Sequence, residues 1–305
     1  MADVIYDVII IGCGVSGFAA AIYSARFKLN TLIVGKVSGG TINNAKEVEN
    51  YPGFKSISGI DLGDRIRDHA TSYDITLKET EVISVEKNKG GFTVRTKKED
   101  FSGRCLIFAT GTAHRKLKIP GEERFHGNGV HACALCDGIT YKGRTVAIIG
   151  GSDSAAREAL ILSEHARKVY IIYRGNDIRA EPINKKRVED NQKIEIIRNT
   201  NITEIMGKGR VVESVMLDKE YKGSKVIALD GVFVNIGHVP LTSLTHSLGV
   251  KLNEKKEIMT DTEGKTNVAG VFAAGDCTGF FWKQAITGVA QGCTAAYSAY
   301  NFLKR

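Results

Sequence analysis

The sequence predicts an α/β protein of two three-layer units, the second inserted into the first. Two observations carry that prediction: one strand, glycine turn, helix and strand pattern occurs twice, and the longest apolar runs are strand-sized. In the first copy, Asp7-Val8-Ile9-Ile10-Ile11 reads as a buried strand, followed by Gly12-Cys13-Gly14-Val15-Ser16-Gly17. A small-residue helix from Phe18 to about Phe27 and the strand Thr31-Leu32-Ile33-Val34 complete it. In the second, Thr145-Val146-Ala147-Ile148-Ile149 leads into Gly150-Gly151-Ser152-Asp153-Ser154-Ala155. A helix to about His165 and the strand Val169-Tyr170-Ile171-Ile172 follow. The copies superimpose at an offset of 138, from Gly12 to Gly150 and from Val34 to Ile172.

A single G-x-G-x-x-G is a weak signal, but two copies, each between a strand and a helix, mark Rossmann-like dinucleotide-binding domains. Gly12 makes the tight turn, Gly14 lets the backbone approach a pyrophosphate, and Gly17 allows close helix–strand packing. Exposed N–H groups and the helix dipole then hold the phosphates. In the second copy Gly150, Asp153 and Ser154 occupy the turn, and Ser152 stands where the second Gly belongs.

Two further strand ends point the same way. Leu106-Ile107-Phe108-Ala109-Thr110-Gly111 closes one segment and Gly270-Val271-Phe272-Ala273-Ala274-Gly275-Asp276 opens the last. Nucleotide sites of open α/β sheets lie beyond such ends. Asp276 is placed to accept a hydrogen bond from a sugar hydroxyl; an ordinary helix N-cap is the plainer reading. The layout expected is one domain from residues 1–112 and 241–305, interrupted by a second at 113–240. Loop-like junctions at Thr112-Ala113-His114-Arg115 and Gly237-His238-Val239-Pro240 separate them.

With 43% hydrophobic and 25% charged residues, the composition is that of a globular protein, and 33 Gly against 4 Pro suit tight turns better than disorder. No apolar run is long enough to span a membrane. The N-terminal residues lack the basic and long apolar regions of a signal peptide, so a cytoplasmic protein is expected. The net charge of +8 is spread out apart from Lys185-Lys186-Arg187. A charge so spread usually serves solubility alone and also suits an acidic partner such as a small redox protein, and no motif suggests nucleic-acid binding.

Of six cysteines, Cys13, Cys105, Cys277 and Cys293 are scattered and read as small buried hydrophobes. Cys133 and Cys136 differ, standing in His131-Ala132-Cys133-Ala134-Leu135-Cys136-Asp137-Gly138. Two Cys at this spacing can close a small redox disulfide, supply half a zinc site, or lie inert. Zinc needs about four ligands, and although His131 could give a third, no second CxxC or HxxxH exists, so no metal is expected. Asp137 reads as a proton donor and acceptor for thiol exchange, or more plainly as a turn residue before Gly138.

Taken together, the two dinucleotide units, the CxxC-Asp segment and the length resemble the low-molecular-weight thioredoxin reductases over essentially the whole chain. Gly12, Gly14 and Gly17 resemble that family's FAD turn, and Glu47-Val48-Glu49-Asn50-Tyr51-Pro52-Gly53 its flavin-flanking loop, with Asn50 near the FAD. Gly40, Thr41, Thr110, Gly111, Gly275, Asp276, Lys283, Gln284 and Ala285 complete the implied flavin set. The resemblance implies NADPH at Gly150, Ser152, Asp153, Ser154, Arg174, Arg179 and His238. It further implies catalysis by Cys133, Cys136 and Asp137, a thioredoxin-like partner and a homodimer. Electrons would pass from donor to FAD, then to the disulfide through Cys136, the thiol nearer the flavin. Cys133 would attack the partner, Asp137 would move the proton, and the junctions near Ala113 and His238 would serve as hinges.

The chain departs from the family pattern at several positions. Thr41 replaces Gln, and Lys283 replaces Arg, keeping a cation but losing the planar fork. On the nicotinamide side, Ser152 replaces Gly, Arg157 replaces Glu, and Tyr173-Arg174-Gly175 replaces His-Arg-Arg. These leave open ferredoxin, reduced deazaflavin or NADH as donor. They also leave open a dithiol oxidase that passes electrons to oxygen, and a flavin- or zinc-binding interaction module.

Overall fold

A computed structural model describes residues 5–304. The chain divides into two compact units, Met1–Ala113 with Val239–Arg305, and His114–His238.

The first unit opens with β1 (Ile5–Ile11), α1 (Val15–Arg26) and β2 (Thr31–Gly35). Helix α1 starts at Val15, directly after Gly14 and three residues before the Phe18 expected from sequence, because the glycine turn itself leads into the helix. Then follow α2 (Gly59–Thr71), β3 (Thr76–Glu79), the hairpin β4 (Val82–Asn88) and β5 (Gly91–Thr96), and the long β6 (Asp100–Phe108). Strands β3, β2, β1 and β6 lie side by side and parallel. Along β1 the side chains alternate between two buried clusters. Val8 and Ile10 pack with Phe18 and Ala20 of α1, while Ile9 and Ile11 pack with Val85 and Phe92 of the hairpin. A parallel strand covered on both faces is therefore a nearly unbroken apolar run.

The chain crosses to the second unit at β7 (Thr112–His114). That unit contains β8 (Val130–His131), the short α3 (Ala134–Asp137), β9 (Thr145–Ile149), α4 (Asp153–His165), β10 (Lys168–Ile172), α5 (Pro182–Glu189) and β11 (Ile194–Ile197). An antiparallel meander, β12 (Ile202–Lys208), β13 (Val211–Tyr221) and β14 (Ser224–Ala228), precedes β15 (Gly231–Val234). The parallel sheet runs β11-β10-β9-β15-β8. On one face Val146 and Ile148 pack against Ala155 and Leu162 of α4; on the other Ala147 and Ile149 pack against Ile205 and Val215 of the meander. Its layers are thus helices, parallel sheet and meander. The return crossing, β16 (His238–Pro240), pairs with β7.

Two last elements complete the first unit, β17 (Val271–Ala273) and α6 (Ala285–Leu303). One edge of β6 serves two partners: Asp100 to Gly103 pair antiparallel with β5, and Leu106 to Phe108 pair in parallel with β17. The chain's last helix packs on its first so closely that a methyl group on Gly292 would sit 2.2 Å from the Ser16 carbonyl oxygen.

The repeat seen in the sequence has matching backbone bonds. Gly12 N–H donates to Val34 O at 2.8 Å and Gly150 N–H to Ile172 O at 3.0 Å. Ala109 N–H reaches Ile11 O and Asn235 N–H reaches Ile149 O, both at 2.8 Å. Both leading glycines have positive φ, +121° and +142°, and a methyl group would fall 2.1 Å from Ala109 O at Gly12 and 1.9 Å from Asn235 O at Gly150. Only glycine fits either position without backbone movement.

Candidate active site

The first glycine turn forms a cradle at the sheet's carboxyl end. Gly14 caps α1 without a side-chain hydrogen bond, and the helix has no acidic residue in its first turn. Its leading amides and dipole are therefore available to an anion. Gly14 bridges to Gly39, and Gly40 and Thr41 begin a short 3-10 turn beside it. Gly275 lies over Ser16 of α1, where a methyl group would come 2.4 Å from Ser16 Oγ. Next to it Asp276 is half-buried; burial pushes its carboxyl up, opposed by the Lys283 charge. A carboxylate there is suited to accept a sugar hydroxyl. Thr110 Oγ1 donates to Leu241 O at 2.6 Å, and Gly111 O accepts from Leu241 N–H at 3.0 Å. Asn50 Nδ2 donates to Gln284 Oε1 at 3.0 Å, tying the 47–53 loop to the N-cap of α6, which begins at Ala285. An uncapped helix terminus, a glycine cradle and a half-buried carboxylate fit a dinucleotide such as FAD.

Lys283 has a different setting from the one its sequence position suggests. Its ammonium donates to Glu257 Oε1 at 2.6 Å, Asp276 O at 2.7 Å and Thr278 O at 3.0 Å. An ammonium has three protons, so these contacts use all of them and anchor the Asp276–Thr278 turn. Gln291 escaped sequence reading, yet its Oε1 accepts from Gly275 N–H at 2.7 Å. Its spacing of seven residues from Gln284 puts both on one face of α6.

The second turn is closed differently. Ser152 caps α4 with its own hydroxyl, accepting from Ala155 N–H at 3.4 Å. Asp153 Oδ1 accepts from Glu181 N–H and Asn184 Nδ2, each at 2.9 Å, and Ser154 is exposed. Arg179 is brought to the turn by its backbone, whose N–H donates to Gly151 O at 2.6 Å, and its side chain is exposed. The Tyr173 ring lies against Gly151 and Gly175, within 2.6 Å of where their methyl groups would be. Arg174, beside it, is exposed. His238 stands past the end of β15 with its ring 4.8 Å from that of His114.

Cys133 and Cys136 form a disulfide, with Cα atoms 5.4 Å apart. Cys133 is buried and Cys136 exposed. Cys133 is the N-cap of α3, and its Sγ accepts from Cys136 N–H at 3.1 Å. An amide donor at that sulfur stabilises a thiolate on Cys133. His131 lies between Asp137 and Tyr141: its Nδ1 is 3.2 Å from Asp137 Oδ2, and its Nε2 is 2.7 Å from Tyr141 Oη. Among the described residues no group of three or more His, Cys, Asp or Glu side chains is arranged to hold a metal. Cys13, Cys105 and Cys277 are buried and Cys293 half-buried, and burial pushes the Cys13 and Cys105 thiols up to about 12.

Glu158 of α4 also abuts the dithiol segment and was not legible as a site residue. Its carboxylate accepts from the Ala134 amide and the Asn235 side chain, while Oε2 is buried without a partner. Burial outweighs those bonds and pushes the carboxyl up from 4.5 to about 7. The folded chain therefore binds more protons than the unfolded chain between these values. The resulting stability is fully present below pH 4.5 and is lost as the pH rises through about 7. Glu158→Gln is expected to stabilise the fold by about 1–3 kcal/mol at pH 8 and to change it little at pH 4.5. Denaturant unfolding at both pH values checks this; equal effects at both would refute it.

Comparison with known proteins agrees with this geometry. The family model described as pyridine nucleotide-disulphide oxidoreductase matches residues 6–292. A thioredoxin reductase of Listeria innocua is 40% identical over 302 residues, 98% of this chain and 94% of the relative. The crystal structure of Lactococcus lactis thioredoxin reductase in its FR conformation is similar at a TM-score of 0.94 and 35% identity, covering 98% of this chain and 99% of that one. The structure of T. acidophilum thioredoxin reductase is similar at a TM-score of 0.92 and 38% identity, covering 97% and 98%. With two glycine-turn nucleotide folds, a closed CxxC disulfide and a family match along nearly its whole length, the chain belongs to the pyridine nucleotide-disulphide oxidoreductases.

Proposed function

We propose that this chain is an FAD-dependent thioredoxin-disulfide reductase that takes electrons from NADPH, working in the cytoplasm as a homodimer. The observation that carries the reading is the Cys133–Cys136 disulfide, set on α3 in the same unit as the second glycine turn. The relatives named above support the thioredoxin partner. No helix among the described residues is long and apolar enough to cross a membrane.

Gly12, Gly14 and Gly17 with the start of α1 would hold the FAD pyrophosphate, and Asp276 a sugar hydroxyl. Gly40, Thr41, Asn50, Thr110, Gly111, Gln284 and Ala285 would line the rest, while Lys283 braces the turn that carries Asp276. Bound flavin supplies two-electron transfer between the donor and the disulfide. Cys136, the exposed member, is assigned to the flavin side. Cys133, whose thiolate the Cys136 amide stabilises, is assigned to attack on the partner disulfide. Asp137 carries the proton.

Gly150, Ser152, Asp153 and Ser154 would meet the NADPH pyrophosphate, with His238 near the nicotinamide half. Arg174 and Arg179 would meet the 2′-phosphate. An acidic residue beyond β10 would select NADH; Arg favours the phosphate. Losing one charged hydrogen bond costs about 1.5–3 kcal/mol, so Arg174→Ala should raise the KM for NADPH roughly 10- to 150-fold. Steady-state kinetics with NADPH and NADH test this. An unchanged KM would remove Arg174 from the site.

The self-capping Ser152 and the missing Arg at Gly175 favour a second reading, the same disulfide reductase driven by ferredoxin, reduced deazaflavin or NADH. Anaerobic titration of the flavoprotein with each donor separates them. Bleaching by NADPH at catalytic rates supports the first reading, and bleaching only by another donor supports the second.

A further inference from the structure

We propose that His131, locked by Tyr141, is the positioning residue that fixes Asp137 for proton delivery during thiol–disulfide exchange, an assignment that rests on the disulfide-reductase reading. The three groups form one chain of contacts, Tyr141 Oη to His131 Nε2 at 2.7 Å and His131 Nδ1 to Asp137 Oδ2 at 3.2 Å. Its direction follows from what each member can donate or accept. Burial, then the Asp137 charge, pushes the Tyr141 phenol up to about 12, so it remains an O–H donor at physiological pH. A carboxylate can only accept, so the neutral ring places its proton on Nδ1, toward Asp137, and Nε2 accepts from the phenol. Burial also holds His131 below the usual imidazole range, and the nearby His126 adds to this, while Asp137 opposes it.

The elements around the ring preserve this state. Phe233 of β15 stacks on His131 at 5.3 Å and meets Tyr141 edge-on at 5.5 Å. Gly231, earlier in the same strand, leaves room for the phenol, since a methyl group there would fall 2.3 Å from the Tyr141 ring. Charged groups bearing on the chain are Asp137 from α3, His126 from the loop before β8, and Arg144 and Asp230, which act on Tyr141 with opposite signs. His131 thus has one tautomer and one use for its Nδ1 proton.

In the exchange, the Cys133 thiolate forms a bond to one partner sulfur, and the partner S–S bond breaks. The departing sulfur keeps the electron pair and takes the proton of the Asp137 carboxyl. The carboxylate left behind accepts the His131 Nδ1–H bond, then removes the Cys136 proton. Cys136 displaces the second partner sulfur from Cys133, and Asp137 hands that proton on. The enzyme dithiol becomes a disulfide, and the partner gains two electrons and two protons.

The test mixes pre-reduced holoenzyme rapidly with thioredoxin disulfide and, separately, with a small aromatic disulfide, from pH 5.5 to 9. His131→Ala should slow exchange about tenfold or more at pH 7. It should also change the shape of the pH profile, which a merely structural role would leave unmoved. His131→Asn, whose amide N–H can replace Nδ1–H, should recover most of the rate. Tyr141→Phe, which keeps the ring and its packing, should change the profile in the same sense by less. Superimposable profiles for wild type and His131→Ala, or for wild type and Tyr141→Phe, would overturn the proposal. If wild type exchanges with the aromatic disulfide alone and its profile still depends on His131, the thioredoxin reading fails and the positioning role stands.

Discussion

Replacing either member of the Cys133–Cys136 pair with serine is expected to lower disulfide reductase turnover by at least about a thousandfold, to the background of the assay. The two sulfurs already sit in bonding geometry, with Cys133 buried at the N-cap of α3 and Cys136 exposed. One thiol can form a mixed disulfide with a partner, but it cannot resolve it. The two variants should stall at different points. Cys133→Ser keeps the thiol assigned to the flavin side, so its flavin remains reducible while no electrons reach the partner. Cys136→Ser keeps the attacking thiol and should trap the partner covalently, visible as a mixed disulfide on a non-reducing gel. Substantial turnover of a thioredoxin disulfide by either variant would reject the assignment.

Gly12→Ala should have the second largest effect, and on the fold rather than the chemistry. Its added methyl would lie 2.1 Å from Ala109 O, at a backbone φ of +121°. Steric overlap and backbone strain together are expected to cost about 3–5 kcal/mol and to prevent flavin retention. Gly14→Ala is the matched control. Its methyl would have nothing nearer than Gly39 O at 3.8 Å, an ordinary contact, and its φ of −86° suits any residue. This variant should fold with a melting temperature close to wild type and lose only flavin affinity, because the side chain crowds the pyrophosphate and not the protein. Equal melting temperatures for Gly12→Ala and Gly14→Ala would contradict the geometry.

Gly12 and Gly14 were legible in the sequence because backbone demands of this kind leave glycine in a fixed pattern. The buried parallel strands were legible as unbroken apolar runs, and the dithiol by its spacing. The layer beneath the second sheet was harder to read. The meander β12-β13-β14 lies outside the repeated strand-turn-helix-strand pattern and buries only one face. The groups that tune the site were invisible for another reason. Glu158, Gln291 and Tyr141 owe their roles to neighbours that the fold delivers, Ala134 for one, Gly275 for another and His131 for the third. Nothing in a chain position marks a glutamate as buried against an amide 24 residues earlier. Lys283 shows the reverse, since its motif position was legible and its partners, Glu257 and two carbonyls, were not.

The shared edge of β6 makes the first unit depend on a strand, β17, that arrives only after the whole inserted unit has passed, from Leu106 to Val271. Closing so long a loop in an open chain is entropically costly. The inserted unit removes part of that cost by bringing its own ends together. Arg115 N–H bonds Gly237 O at 2.9 Å, and the His114 and His238 rings lie 4.8 Å apart. Once it has folded, residues 114–238 act as a short clasp instead of a loose loop. With closure entropy growing as (3/2)RT ln n, taking residues 114–238 out of the loop between Leu106 and Val271 saves about 1 kcal/mol. The inserted unit is thus also a tether for assembling the unit it interrupts, and damage that frees its ends would weaken a sheet it does not belong to.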